Sequence, residues 1–100
     1  MNLKILPSAN EDLINGYHFY ERQSQDLGSY FLDSLFSDID SLLIYFGIHQ
    51  QFFGKYYRLL SKRFPFAVYY TLEDTDIIVY AVLDCRSNPA WIEGRLTDHE

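Results

Sequence analysis

Residues able to do chemistry are few in this chain, and the positively charged ones cluster. Lys55-Tyr56-Tyr57-Arg58-Leu59-Leu60-Ser61-Lys62-Arg63 carries four cations, and residues 41–72 contain no acid at all. The flanking stretches, 1–40 and 73–100, are both rich in Asp and Glu, so the net charge is −6. Guanidinium groups bind phosphates and carboxylates through forked hydrogen bonds, so such a cluster suits an RNA backbone or an acidic peptide. The plainer reading is a set of solvated charges, or of partners for the surplus acids. A net acidic protein is a poor non-specific binder of nucleic acid, and a basic strip on an acidic body points instead to a directed contact. Arg86 follows an apolar run and is expected to approach Arg58 across a sheet if their strands are neighbours.

Other chemistry is sparse. There is no glycine-rich phosphate loop, no paired-histidine zinc helix and no nucleophile elbow. His18, His49 and His99 lie far apart, which argues against a metal site built from them. Cys85 is the single cysteine, so neither an internal disulfide nor a cysteine zinc cluster can form. As a lone thiol at a strand end it reads as a small buried hydrophobe. No cofactor is implied.

The elements that position these residues follow from periodicity. One hundred residues suit a single domain spanning 1–100, and 48 % hydrophobic content excludes a disordered chain. Residues 2–6 read as a short strand ending at Pro7. Ser8-Ala9-Asn10-Glu11 has the pattern of a capping box, predicting a helix to about residue 23. Asp26-Leu27-Gly28 breaks it, and Leu32, Leu35, Ile39, Leu42 and Phe46 mark a second helix over 29–46. Asp33, Asp38 and Asp40 fall off that stripe, and Gly47 suits a left-handed stop. The period then shortens to two. Residues 56–61, 66–72 and 77–83 read as strands, the last two joined as a hairpin through Glu73-Asp74-Thr75-Asp76. On the first of these, Tyr56, Arg58 and Leu60 share one face, and Lys55, Tyr57 and Leu59 the other. Asn88-Pro89 opens a short final helix through Trp91, Ile92 and Leu96. The expected fold is α+β: an N-terminal strand, a helical hairpin, a three-stranded antiparallel meander and a short C-terminal helix. Tyr57, Tyr69, Tyr70 and Tyr80 fit sheet packing, with a stacking surface for bases or a partner as the alternative. Met1-Asn2-Leu3-Lys4-Ile5 lacks a signal-peptide pattern and no apolar run is long enough to span a membrane, so a cytoplasmic protein is expected.

Three segments, in this order, resemble the RelE/ParE superfamily of bacterial type II toxins, which includes plasmid stabilisation proteins. They are Leu6-Pro7-Ser8-Ala9 leading into Asp12-Leu13; Tyr57-Arg58-Leu59-Leu60 through Phe64-Pro65-Phe66-Ala67-Val68-Tyr69-Tyr70; and Ala81-Val82-Leu83-Asp84-Cys85-Arg86 before Asn88-Pro89-Ala90-Trp91. The resemblance implies a growth-inhibiting toxin neutralised by a cognate antitoxin, with operator DNA bound only through that antitoxin. It leaves two targets open: mRNA on the ribosome, cut without a metal, or DNA gyrase, held by protein contact. For cleavage, Arg58 and Arg86 fit the family's basic catalytic positions, while Lys55, Tyr57, Lys62 and Arg63 are binding candidates. No tyrosine follows Arg86, and only His99 could titrate usefully there. A non-toxic interaction module that kept the fold without catalysis is the alternative from another class.

Overall fold

The computed structural model describes residues 1–97. The strands are β1 (Asn2–Ile5), β2 (Gln50–Phe52), β3 (Tyr56–Leu60), β4 (Phe66–Glu73) and β5 (Asp76–Asp84), and the helices are α1 (Pro7–Glu21), α2 (Leu27–Asp40), α3 (Leu42–Tyr45) and α4 (Pro89–Thr97). Among the described residues the strands form one five-stranded sheet in the order β1-β5-β4-β3-β2. The predicted meander β3-β4-β5 is its centre, β1 joins β5 in parallel, and β2 adds an antiparallel edge. The expected α+β class is the observed one. No described helix is long and apolar enough to cross a membrane.

Strand alternation sorts the apolar side chains onto two faces. Phe66, Val68 and Tyr70 of β4 pack with Leu13, Phe31, Leu35 and Ile39 of the α1–α2 hairpin. Ala67 and Tyr69 face the other way, into a smaller cluster with Tyr56, Ala81, Leu83 and the α4 residues Ile92 and Leu96. The hydroxyl of Tyr56 donates to the Leu96 carbonyl at 2.7 Å, fastening α4 to this second face.

Several local expectations need correction. Ser8 does not cap α1, which begins at Pro7, two residues earlier than a Ser8 cap would start it, with Leu6 as N-cap and no side-chain cap bond. Ser8 donates instead to the Tyr80 carbonyl of β5 at 3.2 Å. The second helical stripe is divided at Ser41, whose hydroxyl donates to the Asp38 carbonyl. Asp38 falls on the buried side after all: it is 5 % exposed and accepts from the Ser61 hydroxyl at 2.7 Å, which ties α2 to the end of β3. Strand β2 went unforeseen because three residues, two of them Gln, carry no alternation.

The hairpin depends on a close helix approach. A Cβ on Gly28 would lie 2.6 Å from the Tyr17 carbonyl oxygen. The start of α2 is held by Glu21, whose carboxylate accepts from the Asp26 amide at 3.0 Å and the Gly28 amide at 2.9 Å. In α4, by contrast, a Cβ on Gly94 would meet nothing within 4 Å. Two glycines therefore have opposite expectations. Gly28→Ala should destabilise by about 1–3 kcal/mol through forced helix separation. Gly94→Ala should stabilise by up to about 1 kcal/mol through helix propensity alone. Urea unfolding midpoints of both variants check the pair; a neutral Gly28→Ala would contradict the packing account.

Candidate functional site

Arg58 sits at the middle of β3, and alternation turns it to the α4 side with Tyr56. Its guanidinium carbon lies 4.0 Å from the centre of the Phe52 ring, so the unforeseen strand β2 supplies the platform that holds it. The cation opens on a cleft of about 170 Å3, lined among others by Phe53, Tyr69, Cys85, Ser87 and Pro89. Burial raises the Tyr69 phenol pKa, and Arg58 beside it offsets part of that rise. Cys85 is exposed, not the buried hydrophobe expected of it, yet partial desolvation still pushes its thiol up despite the nearby guanidinium. Both groups therefore remain protonated at neutral pH. The ion pairs found among the described residues are Lys4–Asp76, Arg86–Asp84 and Arg95–Asp12, which leaves Arg58 without an acidic partner there. Such a guanidinium, fixed on an aromatic face at the mouth of a cleft, is prepared for a carboxylate or a phosphate.

Arg86 is placed differently. Strand β4 separates β3 from β5, so Arg58 and Arg86 do not lie on neighbouring strands. Arg86 folds back on Asp84, with Nε at 2.9 Å from Oδ1 and Nη2 at 2.6 Å from Oδ2. That bidentate contact holds the Asp84 carboxyl below its ordinary range and raises Arg86 further. Arg86 also reaches Tyr20 of the helical hairpin, which packs against Phe64 and Phe66 on the opposite side of the sheet from Arg58. The two arginines have different hydrogen-bond partners, though both guanidiniums act on the Cys85 thiol.

The remaining candidates divide as well. Lys55, expected on the face away from Arg58, has its ammonium 5.6 Å from the centres of both the Tyr56 and Tyr80 rings, so it joins the α4 side. Tyr57 turns to the hairpin side, as the alternation predicts, and stacks on Tyr70 with ring centres 5.2 Å apart. Lys62 and Arg63 are exposed in the turn after β3. His99 lies outside the described residues. Tyr80 packs against the α4-side cluster, in contact with Tyr56.

The sequence reading missed a salt bridge that anchors the cleft's helical wall. Arg95 of α4 grips Asp12 of α1 through two bonds, of 2.9 and 2.8 Å, and the same carboxylate accepts the Val82 amide at 3.0 Å. Asp12 and Arg95 are far apart in sequence, and nothing local marks them as partners.

The fold can be compared with solved structures. It matches a chain from the structure described as the chromosomal ParDE TA system from P. aeruginosa, with a TM-score of 0.77 over 82 % of this chain and 92 % of that one. The fold is that of the ParDE chain. Sequence identity to the ParDE chain is 17 %, so the likeness is one of architecture. No protein-family model matches the chain, and no curated protein matches it by sequence. The cleft at Arg58 lies on the face of the sheet opposite the helical hairpin.

His49 has a structural task. Its Nδ1 pairs with the buried Tyr70 hydroxyl, which also accepts the Gly47 amide at 3.0 Å. Burial lowers its pKa from 6.5, so the folded protein favours neutral His49. The unfolded chain then takes up a proton that the fold refuses. Stability is fully present above pH 6.5 and falls as the pH drops from 6.5 towards the lowered folded value. His49→Gln should flatten this slope, as read from urea midpoints on either side of pH 6.5; an unchanged slope would assign it to other groups.

Proposed function

We propose that this chain is the toxin of a type II toxin–antitoxin pair, restrained by a cognate antitoxin, and that it stops growth by holding DNA gyrase. The ParE-like architecture supports the class, and the state of the Arg58 cleft supports the mode. Cleaving RNA at a ribose requires a base for the 2′-hydroxyl proton and an acid for the departing 5′-oxygen. The titratable neighbours of Arg58 in the cleft, Tyr69 and Cys85, both hold their protons at neutral pH. Arg86 is committed to Asp84. What remains is a guanidinium without an acidic partner among the described residues, beside aromatic rings. That combination binds an anionic group well, and the cleft itself holds no group ready to take a hydroxyl proton; the nearest imidazole, His49, lines a neighbouring notch beside Arg58 with its Nδ1 engaged by Tyr70. It is the chemistry of a contact surface, where an arginine next to aromatic side chains commonly carries much of the affinity.

Induction in bacteria should arrest growth, and co-expression of the antitoxin should relieve the arrest. In a purified assay the protein should block gyrase supercoiling. Arg58→Ala should weaken that block by about tenfold or more, the factor expected on losing a charge-assisted contact. Harmless accumulation of folded protein would instead leave a non-toxic interaction module.

A further inference from the structure

Two peptide groups near the end of β5 are left without partners, and both open on a cleft between α1 and α4. The Cys85 amide donates to the Pro65 carbonyl at 2.8 Å, so Cys85 faces β4. Alternation turns Leu83 the same way, and Val82 and Asp84 outward. The outward Val82 amide is taken by the Asp12 carboxylate at 3.0 Å, and the Asp84 carbonyl by the Ser87 amide at 3.1 Å. Between these two bonds lie the Val82 carbonyl and the Asp84 amide. Strand β1 stops at Ile5, opposite Val79, and neither group has a hydrogen-bond partner among the described residues. Val82 is 1 % exposed, and buried peptide groups are nearly always paired. One acceptor and one donor therefore stand side by side, closed off by Asp12 on one side and by the turn at Ser87 on the other.

The cleft in front of them holds about 280 Å3, close to the ~300 Å3 at which small-molecule sites begin. Phe19 of α1 and Trp91 of α4 line it, 45 % and 51 % exposed. The Arg95 guanidinium lies 5.8 Å from the centre of the Trp91 ring and steadies the indole. The charges in the lining cancel, because Asp12 is paired with Arg95 and Asp84 with Arg86. A phosphate placed here would meet two carboxylates and no cation that is not already held by one of them.

These features specify the occupant. Two peptide groups are too few for an added strand, since the edge is blocked on either side of them. Aromatic walls call for a planar ring, and an acceptor beside a donor calls for a ring edge that carries the complementary pair, as a nucleobase does. The nearby carboxylates favour an amino group over a carbonyl on that edge. Adenine presents its amino group and ring nitrogen N1 with only a C–H beyond them, whereas cytosine adds a carbonyl.

We propose that this cleft binds the adenine ring of an uncharged nucleoside. The amino group donates to the Val82 carbonyl, N1 accepts from the Asp84 amide, and the ring lies against Trp91 and Phe19. The site shares only Ser87 with the Arg58 cleft and does not depend on the toxin reading.

Trp91 is the single tryptophan, so its fluorescence reports occupancy of the cleft directly. Adenosine titrated into the full chain, labelled with 15N, should quench that emission and shift the Asp84 amide resonance along the same saturation curve. N6,N6-dimethyladenosine lacks the donor, and inosine reverses the donor and acceptor. Each should bind about tenfold more weakly or worse, the factor for one lost hydrogen bond. ATP and oligoadenylate should bind no more tightly than adenosine, because their phosphates find no unpaired cation in the lining. Trp91→Leu, followed by the Asp84 resonance, should weaken binding by about tenfold, and Trp91→Phe should restore most of it. Because the first of these can also displace α4, Phe19→Leu on the opposite wall is measured beside it and should weaken binding likewise. Absence of saturable quenching at millimolar adenosine, or quenching without a shift at Asp84, would overturn the inference. So would equal binding of dimethyladenosine or inosine, a clear preference for ATP or oligoadenylate, or undiminished binding in both Trp91→Leu and Phe19→Leu.

Discussion

Beyond the end of β1, the edge of β5 has no strand beside it among the described residues, and two side chains of α1 take the strand's place. Ser8 donates to the Tyr80 carbonyl and Asp12 accepts from the Val82 amide. They stand four residues apart, so one face of the helix presents both to the sheet. Asp12 then carries a second obligation, because Arg95 of α4 grips it with two nitrogens. The carboxylate is thus shared between α1, β5 and α4. Its side chain is only 9 % exposed and that of Arg95 25 %, so the pair is shielded from the screening that weakens surface salt bridges. Removing either partner of such a pair leaves a poorly hydrated charge, at a cost of about 3 kcal/mol or more.

The Arg58 cleft inherits its shape from this arrangement. One wall is the sheet face bearing Tyr69, and the other is the start of α4, with Pro89 and Ile92. Helix α4 is held at its far end by Arg95 on Asp12 and by the Tyr56 hydroxyl on the Leu96 carbonyl. Strand β2 completes the cleft by placing Phe52 beneath the guanidinium. The positive charge is thereby fixed in position, while its protonated neighbours add shape and hydrogen-bonding capacity. Rigid placement of an arginine among aromatic rings favours recognition of a partner over turnover of a substrate.

Much of the scaffold was legible because its signals are periodic. Alternation in residues 56–60 separates Tyr57 from Arg58, and the stripe from Leu32 to Leu42 marks the second helix. The site was less legible, since it is assembled from residues whose relation is spatial. Arg95 and Asp12 come from opposite ends of the chain. Phe52 belongs to a strand too short to show a period. Ser8 and Glu11 matched a capping pattern, yet Pro7 is already helical, which moves the helix start back and frees Ser8 for β5. Asp38 looked solvent-facing by charge, but the Ser61 hydroxyl makes its burial tolerable. Arg86 read as a companion to Arg58, and the nearer Asp84 claims it. In each case a contact distant in sequence, or a competing hydrogen bond, outweighed the local pattern.

The central claim is that Arg58 marks a surface for binding and not a centre for cutting RNA. The direct measurement adds purified protein to ribosomes programmed with mRNA, over the concentration range used in the supercoiling assay, and maps the 5′ ends of the message. The account predicts an intact message. Cleavage at the A-site codon that disappears in Arg58→Ala would contradict it, and would make a base of a group near Arg58, His49 first among them.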